Sequence, residues 1–123
     1  MKAPKKEKRQ EDRTVFIFRC DGRYALEKRL DKGLLAGLWQ WPNVMGHLDV
    51  QAALETAREL GLHPRHPERK VERKHIFTHI RWDMWGYYID VAQAEGSFSW
   101  FTPEEIESDA ALPTAFRQFW EER

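Results

Sequence analysis

A single cysteine, Cys20, and three methionines are all the sulfur that these 123 residues contain. One thiol excludes a disulfide framework, and it excludes any metal or cluster site built from several thiolates. It stands beside an Asp-Gly pair, where an unreactive free thiol is expected. Long apolar runs are missing too. None approaches the roughly 18 residues a membrane helix requires, so neither a spanning segment nor a membrane partner is expected. The basic N-terminus has no apolar stretch behind it and so does not read as a secretory signal. There is no internal repeat, and no net charge, with 20 basic against 20 acidic side chains. Together these absences predict an intracellular, cytoplasmic chain with one well-cored domain.

Apolar residues make up 41% and charged residues 33%, enough for a core under a strongly ionic surface. Six tryptophans, seven phenylalanines and three tyrosines are too many for a disordered chain. The charge balance is local rather than uniform. Residues 1–13 carry six basic and three acidic groups; His63 to Arg81 holds six basic side chains, two acidic ones and four histidines; Glu95 to the end has seven acidic and two basic. A basic middle of this kind is either a solvated loop and strand or the footprint of a polyanion.

Residues 1–13 have no apolar side chain beyond Met1 and Ala3 and read as a flexible basic linker, leaving 14–123 as the folded domain. Thr14 to Leu30, with Asp21-Gly22 at its centre, predicts a β-hairpin. A glycine-rich loop leads to a short strand ending at Pro42. Asp49 is placed to cap a helix whose apolar residues recur to Leu60, with Gly61 as its stop. After a loop at 63–67, two long strands are expected, near 69–77 and 79–93, then another at 97–101. Thr102-Pro103-Glu104-Glu105 opens a short helix, and 113–120 forms a last one. This order predicts an α+β domain, a mixed sheet packed by helices. Trp39, Trp41, Trp82 and Trp85 are expected to pack the core and sheet faces.

The order, with a helix ending Ala57-Arg58-Glu59-Leu60-Gly61-Leu62, resembles the Nudix fold. In that family, carboxylates along the helix hold hard divalent cations that bridge substrate phosphates. Here Glu55 and Glu59 remain, Leu54 stands for the arginine, Arg58 replaces an acid, and the upstream acid falls on Gly46. Taken alone, Glu55 and Glu59 make either a solvated helix face or a depleted metal site. Three further stretches, Gly33 to Pro42, Lys74 to His79 and Ala111 to Arg117, are similar in order and spacing to the C-terminal domain of the MutY family of A/G-specific adenine DNA glycosylases. That resemblance runs from about Val15 to Trp120.

The resemblance implies a lesion-recognition module with no catalytic residues and no cofactor of its own. It implies double-stranded DNA with an 8-oxoguanine:adenine mispair as one partner. The other is the family's N-terminal glycosylase domain, which carries an iron–sulfur cluster and removes the adenine. The chain would then begin inside a longer protein. The alternative is a Nudix hydrolase of oxidised nucleoside triphosphates. The family's lesion-reading loop falls on Phe77, Thr78 and His79. Oxidation turns guanine N7 from acceptor to donor, which a threonine hydroxyl can meet; the hydroxyl also suits ordinary guanine, because it rotates. A backbone group of fixed polarity must supply part of the preference. Phe77 is expected as an apolar wedge, although by burial statistics alone it would be core. His79 is expected to meet phosphate, as are Arg73, Lys74, His75 and Arg81. His75 and His79 lie in strand and turn, so no zinc site is expected from them.

Overall fold

The computed structural model describes residues 8–94 and 96–123. Seven strands, β1 (Arg9–Cys20), β2 (Arg23–Lys28), β3 (Trp39–Gln40), β4 (Asn43–Met45), β5 (Pro64–Ile76), β6 (Ile80–Val91) and β7 (Ser99–Phe101), form one mixed sheet with helices α1 (Val50–Glu59), α2 (Pro103–Ser108) and α3 (Thr114–Glu121). The main path is β3-β2-β1-β6-β5, with β4 against β1 and β7 against β2. Only β1 and β6 run parallel, from Arg9↔Ile80 to Arg19↔Asp90. The expected α+β architecture is the one found.

Alternation along β1 divides the core. Val15 and Ile17 face α2 and α3, packing with Trp41, Trp82, Ile106, Phe116, Phe119 and Trp120. Phe16 and Phe18 face α1, packing with Ala53, Ala57, Tyr87 and Ile89. Local signals set the ends of the elements. Asp21 and Gly22 both adopt positive φ, as a tight hairpin turn demands. The Asp49 carboxylate accepts from the Ala52 N–H at 2.8 Å, a cap worth about 1 kcal/mol. Thr102 and Glu105 close a reciprocal capping box. Gly86 is required by packing: a methyl group there would overlap the Phe119 ring. Gly86→Ala is therefore expected to destabilise by about 1–3 kcal/mol, measured as a lower urea midpoint with an unchanged slope.

Three expectations are corrected. Residues 9–13 belong to β1 rather than to a flexible linker; their polar side chains form a ladder, with Arg9 and Arg13 both paired to Glu11 at 2.7 and 2.9 Å. Residues 1–7 of that expected linker lie outside the described residues. The 63–67 segment is mostly the bulged start of β5 and not a loop. Beyond Pro42, which itself is buried, a second short strand forms where none was expected, β4, because Arg13 to Val15 offers it a partner. Trp41 and Trp82 are fully buried, while Trp39 and Trp85 are half-buried on sheet faces. Cys20 is buried and its thiol is pushed up chiefly by that burial. Among the described residues no helix is long and apolar enough to cross a membrane.

Candidate nucleic-acid interface

The β5–β6 connection, residues 77–79, stands at one end of the sheet and is held from behind. The Phe77 N–H donates to the Ile80 carbonyl at 2.7 Å. The first residues of the described chain take the other side. The Arg9 N–H donates to the His79 carbonyl at 3.1 Å, and the Lys8 ammonium donates to the Phe77 carbonyl at 3.0 Å. Thr78 and His79 are exposed, and neither side chain has a hydrogen-bond partner among the described residues. Thr78 also keeps its backbone N–H and C=O without partners among the described residues.

Phe77 is neither a free wedge nor sealed core. It is half-buried, with its ring edge-on to Trp82 at 4.9 Å and to His75 at 4.7 Å. Trp82, wholly buried, is the platform. The guanidinium carbons of Arg13 and Arg29 lie 4.6 and 5.2 Å from its ring centroid, and its indole N–H donates to Glu11 at 3.2 Å. Burial works to raise the Glu11 carboxyl, and the guanidinium groups of Arg13 and Arg9 outweigh it, leaving it below the ordinary carboxylate range. Arg29 donates onward to Gln40, and Gln40 to Glu27. This support was missed in the sequence because its members are scattered over β1, β2 and β6. No local signal marks it: Arg13 lies on β1, Arg29 just beyond the end of β2, and the basic residue of β6, Arg81, alternates to the face away from Trp82.

The expected phosphate-facing side chains are brought to one region but split between two faces. Alternation puts Arg73 and His75 on the α3 side with Val71, and Lys74 and Arg81 on the other. Arg73 is paired with Glu122 at 2.6 Å, and Arg81 donates to Gln10. His75 is half-buried against Phe77. Lys74 is exposed and forms no ion pair among the described residues, which makes it the cation most available to a phosphate.

The helix that would carry Nudix chemistry does not fit a phosphate-bridging cation. Glu55 is exposed and bonded to Arg58 at 3.0 Å, Glu59 is exposed, and residue 46 has no side chain. A cleft of about 230 Å³ beside the helix, lined in part by Asn43, Thr56, Leu60 and Phe98, contains one carboxylate, Glu27. Burial pushes that carboxyl upward, against a hydrogen bond from Gln40. A single carboxylate is too few ligands for a hard dication that bridges phosphates.

Comparison with known proteins finds the same fold in both a MUTYH C-terminal domain and Nudix hydrolases. The C-terminal domain of mouse MUTYH, solved in complex with human PCNA, is 27% identical, with a TM-score of 0.69 over 92% of this chain and 86% of that one. A NUDIX hydrolase from Nitrosomonas europaea (14% identity, TM-score 0.69, 92% and 87% covered) and the MutT protein from Methanosarcina mazei (20%, 0.64, 94% and 94%) share the fold. No curated protein matches the sequence significantly. The model of the NUDIX domain matches residues 14–122, and the chain belongs to the NUDIX domain family.

Proposed function

We propose that this chain is the lesion-recognition module of an A/G-specific adenine DNA glycosylase. It reads 8-oxoguanine mispaired with adenine in double-stranded DNA, while an N-terminal domain with an iron–sulfur cluster excises the adenine. The observation that carries this reading is the 77–79 turn: two exposed polar side chains beside an aromatic ring that is braced from the core. The 27% identity to the MUTYH C-terminal domain over nearly the whole chain supports it.

The turn's hydrogen bonds supply the discrimination that a hydroxyl alone lacks. Phe77 has both backbone groups engaged, and the His79 carbonyl is taken by Arg9. Among the described residues the backbone groups of the turn left without partners are the Thr78 C=O and the Thr78 and His79 N–H groups; of these the carbonyl is the one that can only accept, and the reading is assigned to it. It matches the N7–H of 8-oxoguanine and opposes the lone pair of guanine N7. The Thr78 hydroxyl adds a contact of either polarity. Phe77 stacks beside the opened base step, Lys74 neutralises phosphate, and His79 contacts it, neither reading sequence.

The competing activity is tested directly. Incubated with 8-oxo-dGTP and magnesium, the chain is expected to release no pyrophosphate or phosphate above a protein-free blank. Turnover that disappears in Glu59→Gln would make it a Nudix hydrolase.

A further inference from the structure

On the α1 side of the sheet, away from the acids of that helix, three metal-ligating side chains converge. Asp12 and Asp83 are direct partners on the parallel strands β1 and β6, and alternation places both carboxylates on one face. Like charges side by side on a sheet destabilise it. Neither forms an ion pair with a lysine or arginine among the described residues; Asp12 receives only the neutral amide of Gln10, at 2.9 Å. The group that approaches both is His47, from the connection between β4 and α1. Its Nε2 lies 3.8 Å from Asp12 Oδ1, 3.9 Å from Asp83 Oδ1 and 2.8 Å from the Asp83 carbonyl oxygen. The ring is fixed in that orientation by stacking on Trp85, centroids 4.2 Å apart and 7° from parallel. One ligand atom from each of the three residues lies within 4.8 Å of the other two.

We infer that Asp12, His47 and Asp83 form a binding site for a first-row divalent cation of the zinc or manganese type. One imidazole and two carboxylates suit such ions better than magnesium, which prefers oxygen alone. Ligand atoms about 2.0–2.2 Å from zinc stand roughly 3–3.5 Å apart, so the two His–Asp spacings need to shorten by less than about 1 Å and the carboxylate pair, within 4.8 Å, by at most about 1.8 Å. Asp12, the more exposed carboxylate, has the freedom to close that gap. Coordination requires Nε2 to give up the hydrogen it now donates to the Asp83 carbonyl and to turn away from that oxygen, 2.8 Å away, toward the carboxylates; the neutral ring then carries its hydrogen on Nδ1. Three protein ligands leave a position open for water or a phosphate oxygen. The site shares no residue with α1 or with the 77–79 turn, so it stands whether or not the lesion reading does.

The test is calorimetric titration of the chelator-treated chain at neutral pH with zinc chloride, manganese chloride and magnesium chloride, each alone. The expected result is one saturable zinc or manganese ion per chain and far weaker magnesium binding. His47→Ala and Asp83→Asn should each weaken it by at least about tenfold, since even residues behind metal ligands have effects of that size. Paramagnetic broadening by manganese in the unaltered chain serves if a variant fails to fold, and should centre on His47, Trp85 and residues 12 and 83. Absence of saturable binding, binding that survives His47→Ala, or broadening centred on Glu55 and Glu59 or on the other histidines would overturn the assignment.

Discussion

Replacing Trp82 with alanine is expected to cost about 3–5 kcal/mol of folding stability, the range for a fully buried tryptophan. The ring has no exposed surface and touches Phe77 and Phe116. Arg13 and Arg29 lie against it, and its N–H satisfies Glu11. Truncation opens a cavity, frees two cations and removes a donor from a carboxylate that is only partly solvated. Urea unfolding measures the loss. Trp82→Phe keeps a ring against Phe77 and should recover much of it, short of the roughly 1 kcal/mol that a hydrogen bond contributes and the smaller volume. An alanine variant within about 1 kcal/mol of the parent would mean that Phe77 is not braced from the core.

The second large effect concerns recognition. Thr78→Ala keeps the carbonyl and removes only the hydroxyl, so it is expected to lower the preference for 8-oxoguanine over guanine opposite adenine only as far as the contact set loosens, by at most about 1–3 kcal/mol, or roughly tenfold to a hundredfold. Phe77→Ala should reduce it similarly by removing the stacked ring. Lys74→Ala should weaken binding to both duplexes alike and reduce the salt slope by about 0.9. Competition binding with the two duplexes, in this chain and in one carrying a glycosylase domain, separates these outcomes. Equal losses on lesion and normal DNA for all three variants would remove the Phe77 ring and the Thr78 hydroxyl from base reading.

Much of the fold was legible because its signals are local. Asp21-Gly22, the Asp49 cap and the Thr102-to-Glu105 box each act within a few residues, and each sits where the sequence places it. What escaped depends on distant partners. Arg9 to Arg13 looks like a solvated tail until Ile80 to Met84 lies alongside it. Asn43 to Met45 is a strand only because β1 is there to pair with. The candidate turn was found by resemblance, since nothing in Phe-Thr-His alone separates a half-buried ring from core. That Lys8 and Arg9 hold this turn was invisible for the same reason as β1's early start: Lys8 and Phe77 are 69 residues apart in sequence.

The most direct test of the central claim is to follow the backbone amide resonances of the chain while adding duplexes with 8-oxoguanine:adenine or guanine:adenine at one position, and separately 8-oxo-dGTP with magnesium. The account predicts that amides of residues 77–80, with Arg9 behind them, respond to both duplexes and more strongly to the oxidised one, while residues 55–59 stay silent throughout. A turn that shifts identically with either duplex, or a response confined to 55–59 on adding nucleotide and magnesium, would contradict it.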